Sequence, residues 1–176
     1  LLALLLSPIS SALGAVSCDA KLTGLMNTYF EVIPGPPARL LPKSPYSMES
    51  ALREVASGMA AAGCKSGKTT IGGVEITFGN PTASSDKPNS IVIAAGAPDA
   101  TAKAGGSGSS AYAVGGPGGN ATATSTDGDA GAFGGDNGTG AGGNATASSE
   151  TGNANAEGSN GAAGGGNASA QTGGNR

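Results

Sequence analysis

Gly118-Gly119-Asn120-Ala121-Thr122-Ala123 returns as Gly142-Gly143-Asn144-Ala145-Thr146-Ala147 and again as Gly165-Gly166-Asn167-Ala168-Ser169-Ala170, at spacings of 24 and 23 residues. A period in that window is the signature of a solenoid or an array. The alternation inside each unit decides how it folds. In an extended strand Ala121 and Ala123 face one way, while Asn120, Thr122 and Thr124 face the other. Stacking such strands puts alanine columns inside and Asn/Thr ladders outside. Clusters such as Gly134-Gly135 and Gly164-Gly165-Gly166 are then expected to take positive-φ corners.

A weaker unit follows each strong one, as Asp129-Ala130-Gly131-Ala132 and Asn153-Ala154-Asn155-Ala156, and Asp99-Ala100-Thr101-Ala102-Lys103-Ala104 reads as a degenerate earlier copy. The predicted fold is therefore a parallel β-solenoid-like tail. Its energetics are thin. An inward Ala methyl contributes roughly 0.8 kcal/mol, against about 1–2 kcal/mol of backbone entropy for each ordered residue. A disordered, low-complexity tail is the alternative reading. Collagen and polyproline-II packing need regularly spaced glycines, and residues 120–127 contain none.

Outward from the repeat, the composition divides the chain. Residues 99–176 hold 23 of the 33 glycines, with 6 acidic and 2 basic residues. Four segments are expected: a truncated secretory leader at 1–17, a small α+β head at 18–80, a linker and first strand at 81–98, and the repeat tail at 99–176. The leader reading rests on the apolar run Leu1–Leu6, followed by small residues through Ala15 and Ser17. That run is far shorter than the roughly 20 residues needed to span a bilayer. Cys18 and Cys64 fit an exported chain in which they pair. A lipid anchor on Cys18 is the competing use of that sulfur.

In the head, Ser47 is a plausible cap for a helix from Met48 to Ala62, because Met48, Leu52, Val55 and Met59 share one face, and Gly63 stops it. Residues 19–33 also have helical character. The prolines at 34, 36, 37, 42 and 45 favour an extended connector. Val74, Ile76 and Phe78 alternate as a half-buried strand, with Gly72-Gly73 turning a hairpin from residues 69–71, and residues 90–95 form another short strand.

Few residues here carry chemistry. Histidine is absent, which removes the usual neutral-pH base and the commonest metal ligand, and aromatic residues make up 3% of the chain. Ala62-Gly63-Cys64-Lys65-Ser66-Gly67-Lys68-Thr69 matches a loosened phosphate-loop pattern, but a helix precedes it and a strand follows, the reverse of the order that aims a helix N-terminus at phosphate. Asp127, Asp129 and Asp136 lie near glycines without the spacing of a calcium loop. An acidic tail without aromatic platforms argues against nucleic acid. Four glycosylation sequons begin at Asn120, Asn137, Asn144 and Asn167. Thr122, Thr124 and Thr126 form a candidate outward ligand face. Along the sequence their counterparts are Thr146, Ser148 and Glu150, then Asn153, Asn155 and Glu157, a ragged ladder.

Stretches such as Gly115-Gly116-Pro117-Gly118-Gly119-Asn120 and Gly134-Gly135-Asp136-Asn137-Gly138 give the tail from about Gly105 a compositional likeness. It resembles the Gly/Ala/Asn-rich repeat regions of surface-exposed proteins, among them mycobacterial PGRS-type repeats and glycine-rich cell-wall or adhesin-like proteins. That resemblance implies a secreted or wall-associated, non-catalytic role. The expectation from the sequence is a secreted structural or cell-surface protein, without a cofactor, able to self-associate through its repeats. An extracellular module binding ice or a polysaccharide is the alternative.

Overall fold

The computed structural model describes residues 17–173, so the leader reading for residues 1–16 lies outside the described residues. The head opens with α1 (Cys18–Tyr29), whose first turn is capped by the Ser17 side chain accepting from the Ala20 amide at 3.1 Å. Leu22 and Met26, one turn apart, are its buried residues. The chain then leaves the helix as β1 (Phe30–Ile33), which pairs antiparallel with β2 (Arg39–Pro42). The proline-rich connector is thus extended, as expected, but it contains a strand. Arg39, Leu40 and Leu41 keep their amide donors between the prolines, and these suffice for a short ladder.

Helix α2 (Met48–Ala61) begins with a capping box in which Ser47 and Ser50 satisfy each other's backbone amides. It buries Ala51, Leu52, Val55 and Met59 along one face. Gly63, at φ +71°, takes the chain out of the helix, and a Cys18–Cys64 disulfide ties that exit to the start of α1. A hairpin follows, β3 (Ser66–Ile71) and β4 (Val74–Gly79), turning through Gly72 and Gly73.

From Thr82 to Thr172 the chain winds as a parallel β-solenoid of about four turns, with two strands in each turn. The strands are β5 (Thr82–Ser85), β6 (Ile91–Ala95), β7 (Ala100–Ala104), β8 (Ser110–Val114), β9 (Ala121–Ser125), β10 (Ala130–Phe133), β11 (Ala145–Ser149), β12 (Ala154–Glu157) and β13 (Ala168–Thr172). They sort into two sheets. The first runs β12-β10-β8-β6-β4-β3 and the second β13-β11-β9-β7-β5. The solenoid starts well before residue 99: the segment expected to hold a linker and a first strand holds two of its strands, β5 and the expected β6. Composition changes later than the fold because the early strand β6 is Ile-Val-Ile-Ala-Ala, richer in large apolar residues than any later strand.

Two separate cores explain that difference. Between the sheets lie in-register columns, Ala100-Ala121-Ala145 and Ala83-Ala102-Ala123-Ala147 on the second sheet, continued by the exposed Ala168 and Ala170 of β13, facing Val92-Ala111-Ala130-Ala154 and Ala94-Ala113-Ala132-Ala156 on the first. The second core lies outside the first sheet. There Ile91, Ile93, Tyr112, Val114 and Phe133 point away from the alanines and pack with Leu22, Met26, Leu52, Val55 and Met59 of the helices. At β12, the same outward positions become Asn155 and Glu157, both exposed. The outer face of the first sheet is apolar only where the head covers it.

Arg53 on α2 fastens head to solenoid. Its guanidinium donates to the carbonyls of Gly115 at 3.0 Å and Gly134 at 2.7 Å, on successive turns, and to Glu49 Oε1 at 2.8 Å. The connection between β1 and β2 is stitched to the solenoid as well: the Ala38 amide donates to the Gly108 carbonyl at 2.8 Å.

The glycine clusters behave differently from the expectation. Gly164 has a positive φ of +146°, but Gly134, Gly135, Gly165 and Gly166 do not. What Gly134 and Gly166 supply is space: a Cβ on either would run into the backbone carbonyl of Gly143.

Candidate functional site

With the first sheet covered by the head up to β10, the outward face of the second sheet is a regular surface that the solenoid presents. Its strands are in register without a bulge, so outward side chains fall into columns. One column reads Thr82, Thr101, Thr122, Thr146, Ser169, and the next Ser84, Lys103, Thr124, Ser148, Gln171. Thr122 and Ser148 are half-buried by their neighbours and the other eight are exposed.

This arrangement corrects the ragged ladder expected from sequence. Asn153, Asn155 and Glu157 belong to β12 of the other sheet, and the true third counterparts of Thr122 and Thr124 are Ser169 and Gln171. Thr101, in the degenerate copy at residues 99–104, and Thr82 extend the same column on the N-terminal side, where shorter turns hid Thr82 from the 24-residue period. Thr126 lies one residue beyond β9, and its register neighbours, Gly105, Glu150 and Gly173, carry no hydroxyl. Lys103 is the one charged side chain in the two columns.

An amide ladder fixes one margin of this face. The Asn120 backbone and side-chain nitrogens donate to Asp99 Oδ1 at 2.8 and 3.2 Å, and those of Asn144 to Asn120 Oδ1, both at 3.0 Å. The Asn167 amide donates in turn to Asn144 Oδ1 at 2.8 Å. At the other margin buried serines tie the corners: Ser125 Oγ donates to the Ser109 carbonyl at 2.6 Å and accepts from the Gly128 amide at 2.9 Å, and Ser149 repeats both bonds with Gly128 and Gly152. Both margins lock the spacing of the rungs.

The four sequons separate into two environments. Asn120, Asn144 and Asn167 belong to the ladder, and attachment at Asn120 or Asn144 would use a nitrogen that already donates along it. Asn137 lies in a corner that widens along the solenoid, from residues 96–99 and 115–120 to residues 134–144 and 158–167. There its Oδ1 accepts from the amides of Thr139 at 3.2 Å and Gly140 at 3.1 Å.

The carboxylates near glycines have protein partners. Asp127 accepts from Ser107 Oγ at 2.7 Å, Thr151 Oγ1 at 2.6 Å and the Gly108 amide at 3.2 Å, and these donors, Thr151 first, hold its carboxyl below the usual range. Asp129 and Asp136 accept from Asn153 and Asn160 of the next turn. Among the described residues no group of three or more His, Cys, Asp or Glu could hold a metal ion. The phosphate-loop pattern joins the end of α2 to β3, the reverse of strand, loop, helix; the first turn of α1 abuts it, but there the Asp19 carboxylate accepts from the Lys68 amide at 2.8 Å, where a phosphate would have to sit. Cys18 is bonded to Cys64, which removes the sulfur that a lipid anchor would need.

Two clefts lie away from the second sheet's outer face. One, of about 330 Å³, is lined by Asp19, Lys68 and Phe78. The other, of about 170 Å³, lies between Leu40 of the head and Tyr112, Gly131 and Asn155 of the first sheet. Burial pushes the Tyr112 phenol up to about 12.

These features define a disulfide-stapled α+β head fused to a two-sheet parallel β-solenoid with an alanine interior and one bare hydroxyl face. No family model, curated protein or solved structure matches the chain.

Proposed function

We propose that this is a secreted structural or cell-surface protein in which the head caps and attaches to one side of a stiff solenoid, leaving the other side as a hydrated, non-catalytic surface. The observation that carries this reading is the division of the solenoid between its two sheets. The first is covered by the head up to β10, and the second presents hydroxyls and amides with little charge. The Cys18–Cys64 disulfide supports folding in an oxidising compartment. No helix among the described residues is long and apolar enough to cross a membrane. The likeness of the tail to glycine-rich surface repeats points the same way.

Self-association belongs to this reading. Among the described residues β3 and β5, at the head end of the two sheets, have a strand neighbour on one side only, and an open edge is a template for pairing with another chain. Polysaccharide binding is the less favoured partner. The two hydroxyl columns contain no aromatic ring on which a sugar would stack, and the clefts lie on other surfaces.

Fractionation of the source cells tests the proposal. The protein is expected in the medium or wall fraction, with both cysteines resistant to thiol labelling until reduced. Recovery from the cytosol with two free thiols would overturn it.

A further inference from the structure

We propose that the hydroxyl face of the second sheet binds ice. The inference goes beyond export and scaffolding and rests on that sheet alone. In-register parallel strands convert two outward positions per strand into a two-dimensional net, with about 4.8 Å between rungs and about 6.7 Å between successive outward residues of one strand. Planes of hexagonal ice repeat their oxygens on a closely similar net. Each threonine offers a hydroxyl to hydrogen-bond a lattice water and a methyl to occupy the gap beside it.

Three observations favour crystalline water over other occupants. The column Thr82-Thr101-Thr122-Thr146-Ser169 is unbroken over the whole sheet, so the periodic feature is as long as the solenoid itself. The rungs are locked at both margins by the amide ladder and the buried serines, and threonine is stiff at χ1, so little ordering remains to be done when water freezes onto the face. The two columns carry a single charge, at Lys103, which suits a neutral, repeating ligand better than a charged one.

The test uses the full chain with its disulfide intact and ice alone as the probe. Ice is grown slowly from a dilute protein solution, and the fraction of protein incorporated is measured together with thermal hysteresis. Wild-type protein is expected to enter the ice and to show hysteresis. Thr122→Tyr, a bulky but strand-forming change at the centre of the net, is expected to lose both, and Asn155→Tyr on the other sheet to keep both. Lys103→Thr makes the second column an unbroken run of four hydroxyls from Ser84 to Ser148, and an increase in hysteresis is expected. Far-UV circular dichroism and the oxidised state of the cysteines report folding of every variant. If Thr122→Tyr does not fold, the wild type and Lys103→Thr still decide. Exclusion of folded wild-type protein from ice, retention of activity by folded Thr122→Tyr, or binding to insoluble chitin or cellulose without binding to ice would each overturn the assignment.

Discussion

A glycine in this solenoid is needed where two backbones nearly touch. A Cβ on Gly119 would meet the carbonyl of Pro98 on the previous turn, whereas one on Gly138 would meet nothing within 4 Å. Gly119→Ala is therefore expected to cost about 1–3 kcal/mol, as for other overpacked sites. Gly138→Ala is expected to stay within about 0.5 kcal/mol. Urea denaturation of the two variants checks the contrast; equal effects would mean that the turns are not in the contact described. Asp127 gives a pH test. Because its carboxyl is held below the usual range by Thr151, Ser107 and Gly108, its contribution is complete above the ordinary aspartate pKa of about 4 and is lost as pH falls through the lowered value. The thermal midpoint should fall on the acid side, and Asp127→Asn should be less stable at neutral pH with a shallower acid-side slope. A slope unchanged in Asp127→Asn would remove this residue from the account.

At the scale of elements, α2 is joined to the solenoid by its apolar face and by Arg53. Arg53→Met keeps the stem and removes the donors to Gly115 and Gly134, and the half-exposed setting limits the expected loss to about 1–2 kcal/mol. Chemical denaturation measures it, and a neutral Arg53→Met would show that the apolar face alone docks the helix. The elements also show how much of this fold could be read in the chain. α2 was legible because Ser47 caps it and Leu52, Val55 and Met59 keep helical spacing. The hairpin of β3 and β4 was legible from Gly72-Gly73, and β9, β11 and β13 from the alternation of alanine. The earlier rungs were obscured. Thr82 to Thr101 spans 19 residues, Ala100 to Ala121 spans 21, and only later turns approach 24, because one corner lengthens while the strands stay in register. A search at fixed period finds the late copies, reaches Thr101 only as part of the degenerate copy at 99–104, and misses Thr82. The pairing of Asn153–Glu157 with the wrong sheet had the same origin, since two strands in one turn share an Asx-Ala pattern that linear sequence does not assign to a face.

For the whole molecule, the head and the solenoid answer different needs. An interior of alanine methyls buries too little to resemble an ordinary core, so order comes from rung-to-rung hydrogen bonds, buried serines and the larger core that the helices add on one side. The composition could suggest either disorder or a solenoid, because glycine weakens an isolated strand and also permits closely packed turns. Only three-dimensional register separates the two. Amide hydrogen exchange of the full, oxidised chain is the most direct measurement of that register. The amides of Ala121, Ala123, Ala145 and Ala147 are expected to exchange far more slowly than those of the exposed 138–140 loop, with protection strongest in the turns beneath the head. Exchange at random-coil rates throughout residues 99–172, with the head still protected, would contradict the solenoid.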